Sequence, residues 1–310
     1  MSFDLYFCAS RGSQTNVARV QRHMNGLDHI TESQSNDGNL IQFEYSGPAT
    51  EVYCLFDLST KPDLEQAEAL ALPDGYAYAD LSVSINFLRP HFFALELMPI
   101  VSGIAESLGL SLYDPQAERM YAPGTSSDVL AGSWIEHNEK VTRDLAHDKE
   151  AIRKPYLPRE QSLYWWKYTR AREDYQNSLV EDVFVPSILL MVDAENRVKL
   201  TVIWSAEVQR RAFRLRRTPL PQVLPVCDYV MLAWGKPGTK SLNKAIVPYS
   251  VASASLAALL EDMDGPVEGL RVLRPYRQSE ASEVFDALPK VDLGTLKQIS
   301  SDGFVDVSPA

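Results

Sequence analysis

The sequence predicts an α+β protein: an N-terminal α/β sandwich on a mixed or antiparallel sheet (1–115), a helical connector (116–180) and a C-terminal β-rich α/β lobe (181–310). Three observations carry that expectation. Apolar and polar residues alternate over short runs bounded by Pro, Gly, Asn and Asp, the pattern of half-buried strands. Stretches with three-and-four apolar spacing stand between them, too few for a doubly wound sheet. The 310 residues, 45% hydrophobic and 23% charged with 19 Pro and 15 Gly, can bury the core of one large domain or of two ordinary ones.

The elements follow in order. Ser2 to Cys8 is an apolar strand, and Ser13 or Thr15 caps a helix from about Asn16 to Asn25, with Val17, Val20 and Met24 on one side. Leu40 to Tyr45 and Glu51 to Asp57 are strands around the turn Ser46-Gly47-Pro48-Ala49. Pro62 starts a short helix through Leu70, ended by Pro73-Asp74-Gly75, and Leu81 to Phe87 alternates as a strand. Phe92 to Leu108 is a strong helix and Leu110 to Tyr113 a short strand. Asp128 to Glu150 reads as one long helix with Leu130, Trp134, Val141 and Leu145 on its apolar side, stopped by Pro155 and Pro158. Arg159 to Leu179 is the next helix, and Val183 to Val192 and Arg197 to Trp204 are strands joined by a turn at Asp193 to Asn196. A basic, Pro-punctuated loop from Gln209 to Pro225 leads to a strand, Val226 to Trp234. A helix near Ser250 to Met263, a strand at Leu270 to Leu273 and a helix near Glu280 to Leu288 complete the lobe, with residues after about Leu296 expected to be loose.

Composition narrows the function classes. No apolar run reaches the roughly 18 residues that span a bilayer, so no membrane association is expected. The N-terminus lacks a basic n-region and reads as a strand rather than a signal peptide. Three scattered cysteines, Cys8, Cys54 and Cys227, argue for a reducing cytoplasm. Charge is uneven: residues 1–115 hold 5 Lys/Arg against 15 Asp/Glu, whereas 153–240 hold 15 against 9, within a total of −11. An acidic N-terminal third repels phosphate and suits a basic protein partner; plain solubility is the bland alternative.

Motifs of catalysis are missing. The chain has no G-x-x-x-x-G-K-[ST], G-x-G-x-x-G, G-x-S-x-G or H-E-x-x-H. Its five histidines show no ligand spacing, and His137 and His147 fall roughly 15 Å apart on one helix, so neither metal nor cofactor is expected. The cysteines sit in apolar strands, where an inert thiol is the default. The loop Ser10-Arg11-Gly12-Ser13 is either an anion cradle at a helix start or an ordinary capped turn. From Tyr164 to Tyr175, aromatic and basic residues interleave, which suits burial between lobes, a protein interface or base stacking. The run Arg210 to Arg217 holds five arginines in eight residues, for pairing within the molecule, pairing across a dimer or phosphate binding.

Several phrases carry a family resemblance. Phe3-Asp4-Leu5-Tyr6-Phe7, Val52 to Asp57, Arg89-Pro90-His91-Phe92-Phe93 with Glu96, Leu112 to Gln116, Trp134 with Asn138, Tyr164-Trp165-Trp166 with Arg170, and Phe184 to Ile188 occur in this order. Together they resemble a group of uncharacterised bacterial cytoplasmic proteins similar in character to the immunity proteins paired with interbacterial toxins, including type VI secretion effectors. The likeness covers most of residues 1–235 and fades thereafter. It implies a shared fold and a toxin-neutralising role, and it brings no catalytic residues.

Three function classes follow. The first is an immunity-type binder that occludes the active site of a cognate toxin with an acidic surface: Asp28, Glu32, Asp37, Glu44, Glu51, Asp63, Glu65 and Glu68. A second is an enzyme or small-ligand protein with an inter-lobe pocket of Arg89, His91, Trp134, Asn138, Trp166 and Arg170, where His137 or Glu136 would move protons. The third, a nucleic-acid module using Arg210 to Arg217, runs against the net charge. Homodimerisation stays open.

Overall fold

The structure, a computed structural model, describes the chain except residues 14–15, 147–153, 206–208, 213–215, 235–242, 292–295 and 309–310. The fold is α+β. It divides into two compact units, Met1–Lys154 with Ser301–Ala310, and Pro155–Ser300. The chain therefore leaves the first unit at Lys154 and returns to it at Ser301. The stretch read from sequence as one helical connector is shared out: its first long helix belongs to the first unit and its second to the other.

In the first unit come β1 (Ser2–Ser10), α1 (Val17–Met24), β2 (Ile30–Gln34), β3 (Leu40–Ser46), β4 (Tyr53–Ser59), α2 (Leu64–Ala69), β5 (Tyr76–Asn86), α3 (Phe92–Leu108), β6 (Ser111–Asp114), β7 (Arg119–Tyr121) and α4 (Ser127–Ala146). Its seven strands form one sheet in the order β2-β3-β4-β5-β1-β6-β7. Every pair is antiparallel. Two-residue alternation sends Phe3, Leu5 and Phe7, Ile41 and Phe43, Phe56 and Leu58, and Leu81, Val83 and Ile85 to one buried face. That face receives α3, with α4 packed on α3. Pro99 interrupts the hydrogen bonding of α3, at a cost of about 3 kcal/mol. Burial of Phe92, Phe93, Leu97, Met98, Val101 and Ile104, each contributing about 1.5–3 kcal/mol, outweighs it. Gly109, at φ +70°, ends the helix in the left-handed conformation that glycine adopts without strain.

Two edge strands escaped the sequence reading. β2 is almost wholly polar, and β7 is three residues long, so neither shows an apolar alternation. The α1 cap is Asn16, whose side chain accepts from the Arg19 amide, in place of Ser13 or Thr15; Thr15 lies outside the described residues. The expected helix to Glu150 ends at Ala146 among the described residues, and the remainder of that stretch lies outside them.

The second unit holds α5 (Arg159–Ser178), β8 (Ile188–Val192), β9 (Val198–Ser205), β10 (Gln209–Ala212), β11 (Arg216–Pro219), β12 (Gln222–Leu224), β13 (Tyr229–Trp234), β14 (Asn243–Pro248), α6 (Tyr249–Ser255), β15 (Leu260–Asp262), β16 (Arg271–Leu273), α7 (Gln278–Ala287) and β17 (Lys297–Gln298). A mixed sheet runs β14-β13-β9-β8-β17, with β9 and β13 parallel. A three-stranded sheet is ordered β12-β16-β15, and β10 pairs β11 as a hairpin. Val198, Leu200, Val202 and Trp204 bury one face of β9, and Trp204 meets Phe285 of α7 with ring centroids 5.7 Å apart.

Here the structure corrects several expectations. The strand expected from Val183 begins only at Ile188, because Pro186 has no amide to give a ladder. What read as a loop from Gln209 to Pro225 contains three strands. The strand expected from Val226 begins at Tyr229, since Asp228 turns its carboxylate onto the Leu200 amide at 2.8 Å. The helix expected to reach Met263 ends at Ser255, and Leu260–Asp262 extends to pair with β16. The tail after Leu296 is held: β17 pairs β8, and Phe304, Val305, Asp306 and Val307 are buried.

Candidate functional site

The second face of the seven-stranded sheet follows from the same alternation. Residues between the core positions project to the other side, and the register places them in rows. One row runs Asp4, Ser84, Leu55, Glu44; the next runs Tyr113, Tyr6, Ser82, Asp57, Gln42. Hydrogen bonds knit the rows: Ser84 Oγ donates to Asp4 Oδ1 at 2.6 Å and Gln42 Nε2 to Asp57 Oδ1 at 2.9 Å. Toward β6 and β7 this face is covered, because Leu70 and Leu72 after α2 pack with Cys8, Tyr6, Tyr76, Tyr78, Tyr113 and Met120. Toward β3 and β4 it is more open, with Glu44 exposed and Gln42, Leu55, Asp57, Ser82 and Ser84 half-buried.

The chemistry of this face is anionic. Asp4, Glu44 and Asp57 lie on it, and Asp80 reaches α2, accepting from the Asp63 amide at 2.9 Å. Burial, with Asp63 nearby, raises the Asp80 carboxyl above its ordinary range. Between residues 23 and 88 the sequence has a single cation, Lys61. Strands β2 to β5 therefore bring no lysine or arginine of their own to this face.

The eight carboxylates expected from sequence are spread over the first unit rather than gathered on that face. Glu44 is on it, and Asp63, Glu65 and Glu68 are exposed on α2 or its cap. Glu32 points to α1, accepting from Gln21 Nε2 at 2.8 Å and from Asn25. Asp37 occupies the β2–β3 turn, where Ser35 and Asn39 donate to it and hold its carboxyl down at about 2. Asp28 and Glu51 are exposed in turns. Sequence reasoning missed Asp4 and Asp57, and the signal was present: both stand at polar positions of alternating strands.

The six residues expected in an inter-lobe pocket divide between the units: Arg89, His91, Trp134 and Asn138 in the first, Trp166 and Arg170 in the second. Trp134 and Asn138 are fully buried. Asn138 accepts from the Leu88 amide and donates to the Arg89 carbonyl, both at 2.8 Å, clamping a bend in which Leu88 has φ +59°. His91 lies between carboxylates, with Nδ1 2.6 Å from Asp306 and Nε2 3.1 Å from Glu139. Arg89 donates to Tyr53 Oη at 3.0 Å and sits 3.4 Å from Asp302. Lys154 Nζ donates to the carbonyls of Leu88 and Asp302 at 3.0 and 2.6 Å, and burial, with Arg89 beside it, lowers its ammonium to about 8. These groups hold main chain. Asp302, Asp306 and Glu139 gave no sequence signal, because their partners lie far away in the chain.

On α5 the unusual aromatic segment fastens loops of its own unit. Trp165 Nε1 donates to the Ile188 carbonyl at 2.9 Å, Tyr168 Oη to Pro186 and Tyr175 Oη to Asp264, both at 2.6 Å. Tyr164 Oη accepts from the Val226 amide at 2.9 Å. Trp166 is buried beneath the exposed Arg170, whose guanidinium carbon is 5.5 Å from the ring centroid. With Lys167, Ala171, Asp174 and Pro266 they edge a shallow cleft of about 330 Å³.

Other expectations fall as follows. Ser10, Ser13, Asn16 and Arg19 line a polar cleft of about 230 Å³ at the start of α1, but Arg19 already donates to the Ser107 carbonyl at 3.2 Å. His137 Nδ1 lies 2.9 Å from the Ser133 carbonyl oxygen, and His147 lies outside the described residues. Of the run Arg210 to Arg217, the backbones of β10 and β11 pair and residues 213–215 lie outside the described residues. All three cysteines are free and buried, and burial pushes the Cys8 thiol up to about 12 and those of Cys54 and Cys227 further still. Among the described residues, no group of three or more His, Cys, Asp or Glu is placed to hold a metal, and no helix is long and apolar enough to cross a membrane.

Comparison with family models, curated proteins and solved structures finds no match to this chain.

Proposed function

We propose that this chain is a binding protein that captures a basic protein partner on the acidic second face of its seven-stranded sheet, in the manner of an immunity protein occluding a toxin's active site. One observation carries the reading: Asp4, Glu44 and Asp57 share a sheet face, and the stretch from residue 23 to 88 that supplies Glu44 and Asp57 has Lys61 as its only lysine or arginine. Such a surface attracts a positively charged cleft and speeds encounter, and it repels nucleic acid. A nuclease or nucleotide-modifying toxin, whose active site must itself be basic to hold phosphate, is the matching class of partner. Trp134 and Asn138, the inner residues of the competing pocket reading, are occupied in packing and main-chain hydrogen bonds.

The experiment starts with capture from lysate of the source cell at low salt, identification of a stoichiometric partner by mass spectrometry, and its recombinant production. Association rates are then measured for wild type and for Glu44→Lys/Asp57→Lys at two ionic strengths. The expected result is a basic partner whose association with the variant is about tenfold slower or more at low salt, with the difference shrinking as salt rises. An acidic partner, or an unchanged rate, overturns the reading. Capture of nothing, together with a metabolite-induced rise in melting temperature, supports the small-ligand alternative instead.

A further inference from the structure

We propose that residues 301–308 are a latch: a segment that leaves the N-terminal turn of α3 as a unit while the seven-stranded sheet stays folded. The proposal concerns the first unit alone and does not depend on the binding role.

The chain re-enters this unit at Ser301, and three attachments are described for it. At the first, the Asp302 carbonyl accepts from Lys154, the residue at which the chain left, and its carboxylate lies 3.4 Å from Arg89 and 3.5 Å from Tyr53 Oη. One lysine thus ties the outgoing chain to the returning one. At the second, Phe304 is fully buried against Phe92, the first residue of α3, with ring centroids 6.2 Å apart. The third is the tightest. Both carboxylate oxygens of Asp306 accept from the His91 amide, at 3.1 and 3.0 Å, and Oδ1 also meets the ring Nδ1 at 2.6 Å. On its other side the ring faces Glu139 of α4, which is paired with Arg143.

A helix start leaves amides without intrahelical partners and carries positive partial charge, and the residue before the helix usually supplies an oxygen. His91, in that position, makes no side-chain cap bond. The anionic cap of α3 comes instead from Asp306, 215 positions along the chain. The latch supplies none of the seven strands of the sheet, and among the described residues its β pairing is a single bridge at Val305. A short segment gripped through a few side-chain contacts, at Asp302, Phe304 and Asp306, has a lower opening cost than a seven-stranded sheet. Its release uncovers Phe92 and takes Asp302 away from Arg89 and Lys154.

The His91 amide reports the latch directly, because its acceptor is the Asp306 carboxylate. Residue-resolved amide exchange on the full chain, followed through sub-denaturing urea, is the test. In the wild type, His91 is expected to exchange through an opening well below the one that frees the paired amides of β4 and β5. In Asp306→Ala, exchange at His91 is expected to rise about 10- to 100-fold, the usual effect of losing a charged hydrogen-bond acceptor, with β4 and β5 unchanged. Equal opening for His91 and the sheet in the wild type overturns the proposal, as does an acceleration in the variant that spreads equally to the sheet. The wild-type comparison decides the matter even if the variant fails to fold.

Discussion

Replacement of Asn138 by alanine separates the two readings of the buried side chains in the first unit. Asn138 is fully buried, and its amide group joins the Leu88 amide and the Arg89 carbonyl by two 2.8 Å hydrogen bonds. Alanine leaves both main-chain groups without that partner, at about 1–3 kcal/mol each once water is excluded. It also removes the clamp on Leu88, held at φ +59°, a conformation costing a side-chain-bearing residue on the order of 1 kcal/mol. The two lost bonds together cost about 2–6 kcal/mol, or a fall in melting temperature of roughly 4–24 °C for a unit of this size. Urea unfolding followed by far-ultraviolet circular dichroism gives the number, and an unchanged denaturant slope would show that the native fold is kept. Asn138→Asp, which keeps an acceptor for Leu88 and loses the donor to Arg89, should fall between alanine and wild type or below both. A loss under about 0.5 kcal/mol, the size of an ordinary surface change, would refute the clamp and return Asn138 to the pocket reading.

Two further outcomes follow from burial. Lys154 is held near 8 in the folded chain against 10.5 when unfolded, so between those values the unfolded state carries more protons and this group adds stability as pH rises. The buried thiols and phenols, raised in the fold, act in the opposite direction; the lysine is therefore isolated by difference, and the stability of wild type minus that of Lys154→Met is expected to grow from pH 8 to 9.5. A flat difference would show that Lys154 keeps an ordinary ammonium. The three thiols should be silent to a disulfide reagent at pH 8 in the native protein and react stoichiometrically in denaturant, since burial keeps Cys8, Cys54 and Cys227 protonated. Rapid labelling of the native chain would contradict their placement in the core.

Alternation and periodicity made much of the fold legible. Ser2 to Cys8 read as an apolar strand and Leu81 to Phe87 as an alternating one before any pairing was known, and the α3 span from Phe92 to Leu108 coincides with its run of apolar residues. Such patterns are written locally, by side chains two, three or four positions apart. The acidic character of the first unit was equally local, since charge can be counted along the chain. Which acids stand together was not. Asp4 and Glu44 share a row only because β5 and β4 lie between β1 and β3, an order that pairs strands distant in sequence.

The tail marks the limit most clearly. Phe304 and Asp306 sit in a short polar-rich stretch with no period of its own, which by itself reads as loose. Their burial depends on Phe92 and His91, more than two hundred residues earlier, and a cap or a ring contact at that separation leaves no trace in either neighbourhood. The sequence alone determined the α+β class, the longer helices and the negative charge, because each arises from neighbours along the chain. Tertiary structure alone decided that Asn138 clamps main chain, that the carboxylates divide among turns, helix and sheet face, and that the last residues close the first unit, because those contacts exist only once distant segments meet.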